Sequence, residues 1–160
     1  MAAFQSNQAD ISFLRQAIHL AEQAAQAGNL PIGAVIVLDG SIIAQGSNAI
    51  WKPVAAYTRH AEMETLRGVA PQLWSRSREM TLYTTLEPCL MCAGAILLHR
   101  LGRLVYGSND PWGGISASLS SLPAYFRDEF ALIQWNGPAL PVECDPLYAR
   151  IMQLEQRREP

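Results

Sequence analysis

A single lysine, Lys52, occurs in 160 residues, and the 12 basic side chains are outnumbered by 14 acidic ones. A formal net charge of -2 supplies no broad positive field for phosphates, so nucleic-acid binding requires a local patch. Arg157-Arg158 is the only adjacent basic pair. No run approaches the ~20 apolar residues that cross a bilayer, and the opening MAAFQSNQAD lacks the charged-then-apolar pattern of a secretory leader. A soluble, cytoplasmic protein with no membrane attachment is expected. Cysteine is scarce as well: three residues, an odd number, do not make the disulfide framework of a small secreted domain.

What is present reads as an ordinary globular chain, 49% hydrophobic and 16% charged, without repeats or low-complexity tracts. At this length a single domain spanning residues 1–160 is the default. Ile11, Leu14, Ile18, Ala21 and Ala25 recur at helical spacing, with Asp10 as the cap and Gly28 as the stop. The stretch LPIGAVIVLDGSIIAQGSN places two β-branched runs on either side of Asp39-Gly40, which predicts a hairpin of strands over 33–38 and 41–45. Residues 48–59, with Trp51, Pro53 and Tyr57, show no period and read as a loop, followed by a short helix over 60–67.

After a polar connection through Pro71 and Ser75, MTLYTTL predicts a third strand, and Pro88 suits the first turn of a helix over 89–99. Residues 103–108 form a fourth strand, FALIQW is the candidate fifth, and Asp145-Pro146 opens a last helix with Leu147, Ile151 and Leu154 on one face. A hairpin followed by alternating helices and strands implies a three-layer α/β/α fold, a mixed five-stranded sheet flanked by helices.

Chemistry concentrates in HAE, residues 60–62, and PCLMC, residues 88–92. Cys89 and Cys92, three apart, share one helix face, where the helix start favours thiolate over thiol. Two cysteines and one histidine leave the fourth position of a tetrahedral zinc open, as catalytic sites do, and His60 is the candidate third ligand. Positions i and i+2 of a regular helix diverge, so His60 and Glu62 converge only from the first turn, one at the cap and one inside it. Cys-x-x-Cys alone is shared by redox motifs and zinc knuckles; the upstream His-x-Glu and the preceding proline are what favour catalysis.

These two motifs resemble the cytidine deaminase superfamily, whose zinc nucleobase deaminases carry H-x-E and P-C-x-x-C. The likeness runs from LPIGAVIV through TLEPCLMCAGAI and LVYGSND to VECDPL, and is greatest to the branch of tRNA adenosine deaminases and guanine or cytosine deaminases. It implies that His60, Cys89 and Cys92 bind zinc, that Glu62 shuttles protons, that Asn48 and the backbone of Ala61 contact substrate, and that the protein is a homodimer. Two segments depart from the tRNA-enzyme pattern: Ala56-Tyr57-Thr58-Arg59 in a loop one residue longer, and DPWGG after the fourth strand. The resemblance therefore carries the chemistry further than the substrate.

The expected function is zinc-dependent hydrolytic deamination of a purine or pyrimidine base or nucleoside, with release of ammonia. The scarcity of basic residues favours a small molecule over tRNA. Adenosine in a tRNA anticodon loop is the alternative, and a zinc-stabilised binding protein without turnover, or a thiol redox module, are the alternatives of other classes. Trp51 and Trp112, in Gly/Pro-containing loops, are candidates for base stacking. Cys144, His19 and His99 receive structural readings.

Overall fold

Asp39 and Gly40 both take positive φ (51° and 72°), folding β1 (Gly33–Leu38) back on β2 (Ser41–Ser47) as an antiparallel pair. In the computed structural model, which describes residues 6–156, this hairpin forms one edge of a five-stranded sheet ordered β2-β1-β3-β4-β5. β3 (Thr81–Leu86) runs antiparallel to β1, and β4 (Arg103–Ser108) and β5 (Gln134–Asn136) continue parallel to β3. The mixed sheet is the one expected from the sequence.

Alternation sets the layers. Val35, Val37, Tyr83 and Val105 pack with Leu14 of α1 (Gln8–Gln26) on one face. Ile36, Leu82, Leu104 and Tyr106 pack on the other against Leu66 of α2 (Ala61–Arg67), Ile96 of α3 (Leu90–Leu98) and Phe126 and Phe130 of α4 (Ala124–Leu132). α5 (Pro141–Gln156) joins the α1 side through the ion pairs Arg15–Glu143 and Arg150–Glu22. Central strands buried on both faces read as continuous apolar runs, which is why GAVIVL is buried throughout.

Several boundaries differ from those the sequence predicts. Asn7, not Asp10, caps α1; Asp10 sits three residues in, closing a capping box with Asn7. Pro88 precedes the α3 cap, Cys89, and so lies outside the helix. FALIQW splits, because Phe126 and Phe130 follow helical spacing onto the core and leave only Gln134–Asn136 for the strand. α5 starts at Pro141 and absorbs Pro146 near its beginning, where the ring deprives only the Val142 carbonyl of a partner; Val142 is exposed and water can take that place. Residues 71–79 form a 3-10 segment where a plain connection was expected.

Arg157-Arg158 lies outside the described residues. No helix among those described is long and apolar enough to cross a membrane.

Candidate metal centre and pocket

The N-termini of α2 and α3 meet beyond the carboxyl end of β3, the position where open α/β sheets hold ligands. His60 is the N-cap of α2, with extended backbone (φ -70°, ψ 156°), and Cys89 is the N-cap of α3 (φ -71°, ψ 172°). The histidine therefore leaves the helix before its period begins, while Glu62 lies within the first turn, and the two side chains reach one place. β2 admits α2 closely because position 46 is glycine: a Cβ there would stand 2.7 Å from the Thr65 nitrogen and 2.9 Å from the Ala61 carbonyl.

His60 Nδ1 lies 3.6 Å from both Cys89 Sγ and Cys92 Sγ, and the three ligand atoms fall within 4.8 Å of one another. Ligands held by one tetrahedral zinc at ordinary bond lengths stand about 3.6–3.8 Å apart, so the spacing and the N/S donor set both fit that ion. Cys89 is drawn down to about 4, chiefly by the neighbouring Cys92 and then by His60, while Cys92 is pushed up.

Glu62 is buried and aimed at this cluster. Its Oε1 accepts a hydrogen bond from Thr84 Oγ1 at 3.2 Å, and its Oε2 accepts one from Cys92 Sγ at 3.4 Å. Burial first, then the neighbouring Cys89, holds its carboxyl above the ordinary carboxylate range, the setting of a group that takes up and returns protons.

Over the cluster opens a cavity of about 270 Å³, just under the ~300–1,000 Å³ typical of ligand pockets. Leu30, Ile32, Ile50 and Leu86 give it apolar walls, and α5 contributes Tyr148, Ile151, Met152 and Glu155. The rim contains the exposed aromatics Tyr57 and Trp112, both from segments in which the chain departs from the tRNA-enzyme pattern. Glu87, buried at the end of β3, accepts from the backbone N–H of Asp110 (3.1 Å) and of Ser116 (2.9 Å). Asp110 Oδ1 in turn accepts from the N–H groups of Trp112 and Gly113. The rim is thus built outward from the residue two before Cys89.

Asn48 is buried beside this pocket rather than in its wall. Its Oδ1 accepts from the Ile50 N–H, and its Nδ2 has no hydrogen-bond partner among the described residues. Ala61 occupies the first position of α2 and is fully buried. Trp51 lines a separate cleft with Asn29 and Arg150, whereas Trp112 lines the pocket. Cys144 is buried against Gly107, where a Cβ would meet its sulfur, and His99 hydrogen-bonds Ala95 and packs on Trp74. Thr84, Tyr148 and Glu155 carry no motif signal, whereas Glu87 lies within TLEPCLMCAGAI and Asp110 opens DPWGG, though neither receives a role from the sequence.

Residues 7–108 match the family of the cytidine and deoxycytidylate deaminase zinc-binding region. A tRNA-specific adenosine deaminase of Bacillus subtilis is 41% identical over 114 residues, which cover 71% of this chain and 70% of that protein. One of Haemophilus influenzae is 37% identical over 155 residues, covering 94% and 86%. Among solved structures, a tRNA:A34 deaminase aligns with a TM-score of 0.63 at 39% identity over 71% of this chain and 90% of its own. A protein solved with 2,6-diaminopurine aligns at 0.73 and 18% identity over 94% of this chain and 85% of its own, a likeness of fold alone. The HAE and PCLMC motifs, the ligand geometry and these matches agree: the chain belongs to the cytidine and deoxycytidylate deaminase family and is a zinc-dependent hydrolytic deaminase.

Proposed function

We propose that the protein hydrolyses the exocyclic amine of a purine or pyrimidine presented as a free base or nucleoside. The observation carrying this is a buried Glu62 beside the His60, Cys89 and Cys92 cluster, on the floor of a pocket sized for one small flat molecule. His60, Cys89 and Cys92 are the residues that hold zinc. A zinc ion bound there would supply Lewis acidity, lowering the pKa of a water toward ~7.

Glu62 accepts a proton from the attacking water as the water oxygen bonds to the amino-bearing ring carbon. The carboxylic acid passes the proton to the adjacent ring nitrogen, takes up the second, and delivers it to the departing amine. Water and amine thereby become ring carbonyl and ammonia, and Glu62 ends ionised as it began. Thr84 fixes the carboxylate through Oε1. The unpaired Asn48 Nδ2 supports a donor role toward a ring acceptor, since a buried donor left alone is costly. The N–H of Ala61, at the helix start, is the second assigned substrate contact.

The test is ammonia release by zinc-loaded protein from adenine, guanine, cytosine and their nucleosides, with Glu62→Gln beside it. Turnover in the intact protein, lost in a variant that still binds zinc, supports the reading. Turnover that survives in Glu62→Gln removes the shuttle. A protein that purifies without stoichiometric zinc and reduces disulfides instead is a redox module.

A second reading rests on the relatives named tRNA-specific adenosine deaminase. Here adenosine in an anticodon loop is the substrate, and inosine formed in an anticodon stem-loop, with silence across the small-molecule panel, would select it. Silence on both with zinc retained selects the inactive binder. We place the protein in the cytoplasm and assign a homodimer to the apolar groove of α3 and α4 that Leu90, Leu97 and Phe126 help line. Light scattering at micromolar concentration checks the latter: a monomer with Leu90→Glu and a dimer without it.

A further inference from the structure

Trp112 is 70% exposed and yet lines the cavity above Glu62 and the metal cluster, so its indole stands at the mouth. It belongs to the segment just beyond the residues matched by the family, which end at 108. A lone exposed tryptophan on a loop is ordinary. This one is held in place from both sides. Glu87 accepts from the backbone N–H groups of Asp110 and Ser116, the Ile115 N–H donates to the Pro88 carbonyl at 3.0 Å, and Gly114 forms a bridge with Cys89. Inside the turn, Asp110 Oδ1 accepts from the Trp112 and Gly113 N–H groups, and the Asp110 carbonyl accepts from Gly114. Glycine at 114 allows this closeness: a Cβ there would stand 2.5 Å from Glu87 Cδ and 2.6 Å from the Asp110 carbonyl oxygen. The loop carrying the indole is thus stitched to residues 87–89, which end in a metal ligand.

Resting on the reading of the protein as a small-molecule deaminase, we infer that Trp112 is a specificity-determining residue that stacks on the substrate ring system at the pocket mouth and favours purines over pyrimidines. The amino-bearing carbon has to reach Glu62 on the floor. In adenine and guanine that carbon belongs to the six-membered ring, so the fused five-membered ring extends away from the floor toward the mouth. Cytosine ends one ring sooner. The inner walls, Leu30, Ile32, Ile50 and Leu86, are aliphatic, and the Trp112 indole is the largest ring among the residues lining the cavity. An indole offers a broad π face and has only two χ angles to fix on binding. Because its turn is already anchored to residues 87–89, little backbone ordering is left to oppose the contact.

The experiment separates binding from turnover. Zinc-loaded Glu62→Gln, alone and combined with Trp112→Ala or Trp112→Phe, is titrated by calorimetry with adenine, guanine and cytosine, and indole emission is followed in the same titrations. Trp112→Ala should weaken binding of the purine by about tenfold to a hundredfold, the usual effect of removing an aromatic platform under a base, and of cytosine by no more than about threefold. Trp112→Phe should keep most of the purine affinity and lose the quenching of emission that the purine causes. Thermal melts of both variants, altered only at an exposed side chain, should match the parent. Purine binding unchanged in Trp112→Ala overturns the inference, as do equal losses for purine and cytosine or binding of no base in the panel. A purine that binds through Trp112 but yields no ammonia with the intact protein refutes the proposed reaction and leaves the stacking role standing. Turnover of a base that is indifferent to Trp112 does the reverse.

Discussion

Thr84 and Glu62 are joined by a 3.2 Å hydrogen bond between two buried side chains, one on the central strand β3 and one in the first turn of α2. This bond leaves the other carboxylate oxygen toward the metal cluster. Thr84→Val keeps the shape and removes the donor. We predict a fall in kcat of about tenfold to a hundredfold, with zinc content unchanged, the usual effect of losing a group that orients a catalytic one. Steady-state kinetics with metal analysis reads it, and an unchanged kcat would show that Glu62 is held without Thr84.

Glu87 should act on the rim rather than on the chemistry. A glutamine at this position can accept from only one of the Asp110 and Ser116 N–H groups through its carbonyl, while its amide faces a donor. Glu87→Gln is expected to cost about 1–3 kcal/mol of stability and to raise KM more than it lowers kcat. Amide hydrogen exchange at Asp110 and Ser116 should quicken in the same variant.

Gly46→Ala should disable the site from a distance. The added methyl meets the Thr65 nitrogen and the Ala61 carbonyl on α2, so the helix must move off the sheet and carry His60 and Glu62 with it. Loss of stoichiometric zinc together with activity is the expected result. Full zinc loading would mean that the helix yields without displacing its cap.

Chelation should lower the melting temperature, because the ligand atoms bridge the N-termini of two helices, and an ion bound only by the folded state adds its binding free energy to folding. Calorimetry with and without chelator measures the shift. In Cys89→Ser it should be largely absent.

The acid limb of stability is predicted to depend on Asp10, far from the site. Burial alone would raise this carboxyl, but hydrogen bonds from Arg103, Tyr83 and the Asn7 N–H outweigh it and hold the group below its ordinary 3.8. A depressed carboxylate contributes stability above that ordinary value and loses it as pH falls through the lower folded one. Asp10→Asn should cost roughly 2–3 kcal/mol at neutral pH, less than a fully enclosed pair because Arg103 is partly exposed, and should flatten the loss of stability with acid. Urea midpoints from neutral pH into the acid range test both.

The sequence revealed the parts whose signal is local. The Asp39-Gly40 turn, the alternating strands and the paired HAE and PCLMC motifs each depend on neighbours within a few residues, and the geometric objection to His60 and Glu62 sharing a helix pointed to the cap that His60 occupies. What stayed hidden is convergence. Tyr148 and Glu155 reach the pocket only because α5 folds back across the sheet, and Glu87 received no role from the sequence because its two backbone partners lie 23 and 29 positions away. α4 was misread for a related reason: Phe130-Ala131-Leu132 is apolar enough for a strand, and only the packing of Phe126 one turn earlier settles its period.

A pocket whose floor comes from residues 60–92 and whose far wall comes from residues 110–155 is, in engineering terms, modular. Grafting the C-terminal segment of another family member onto this N-terminal portion exchanges the wall while leaving His60, Glu62, Cys89 and Cys92 in place. The seam falls at Ser108, whose hydroxyl donates to Asp145 Oδ1 at 2.6 Å, so a working chimera has to carry both residues or neither.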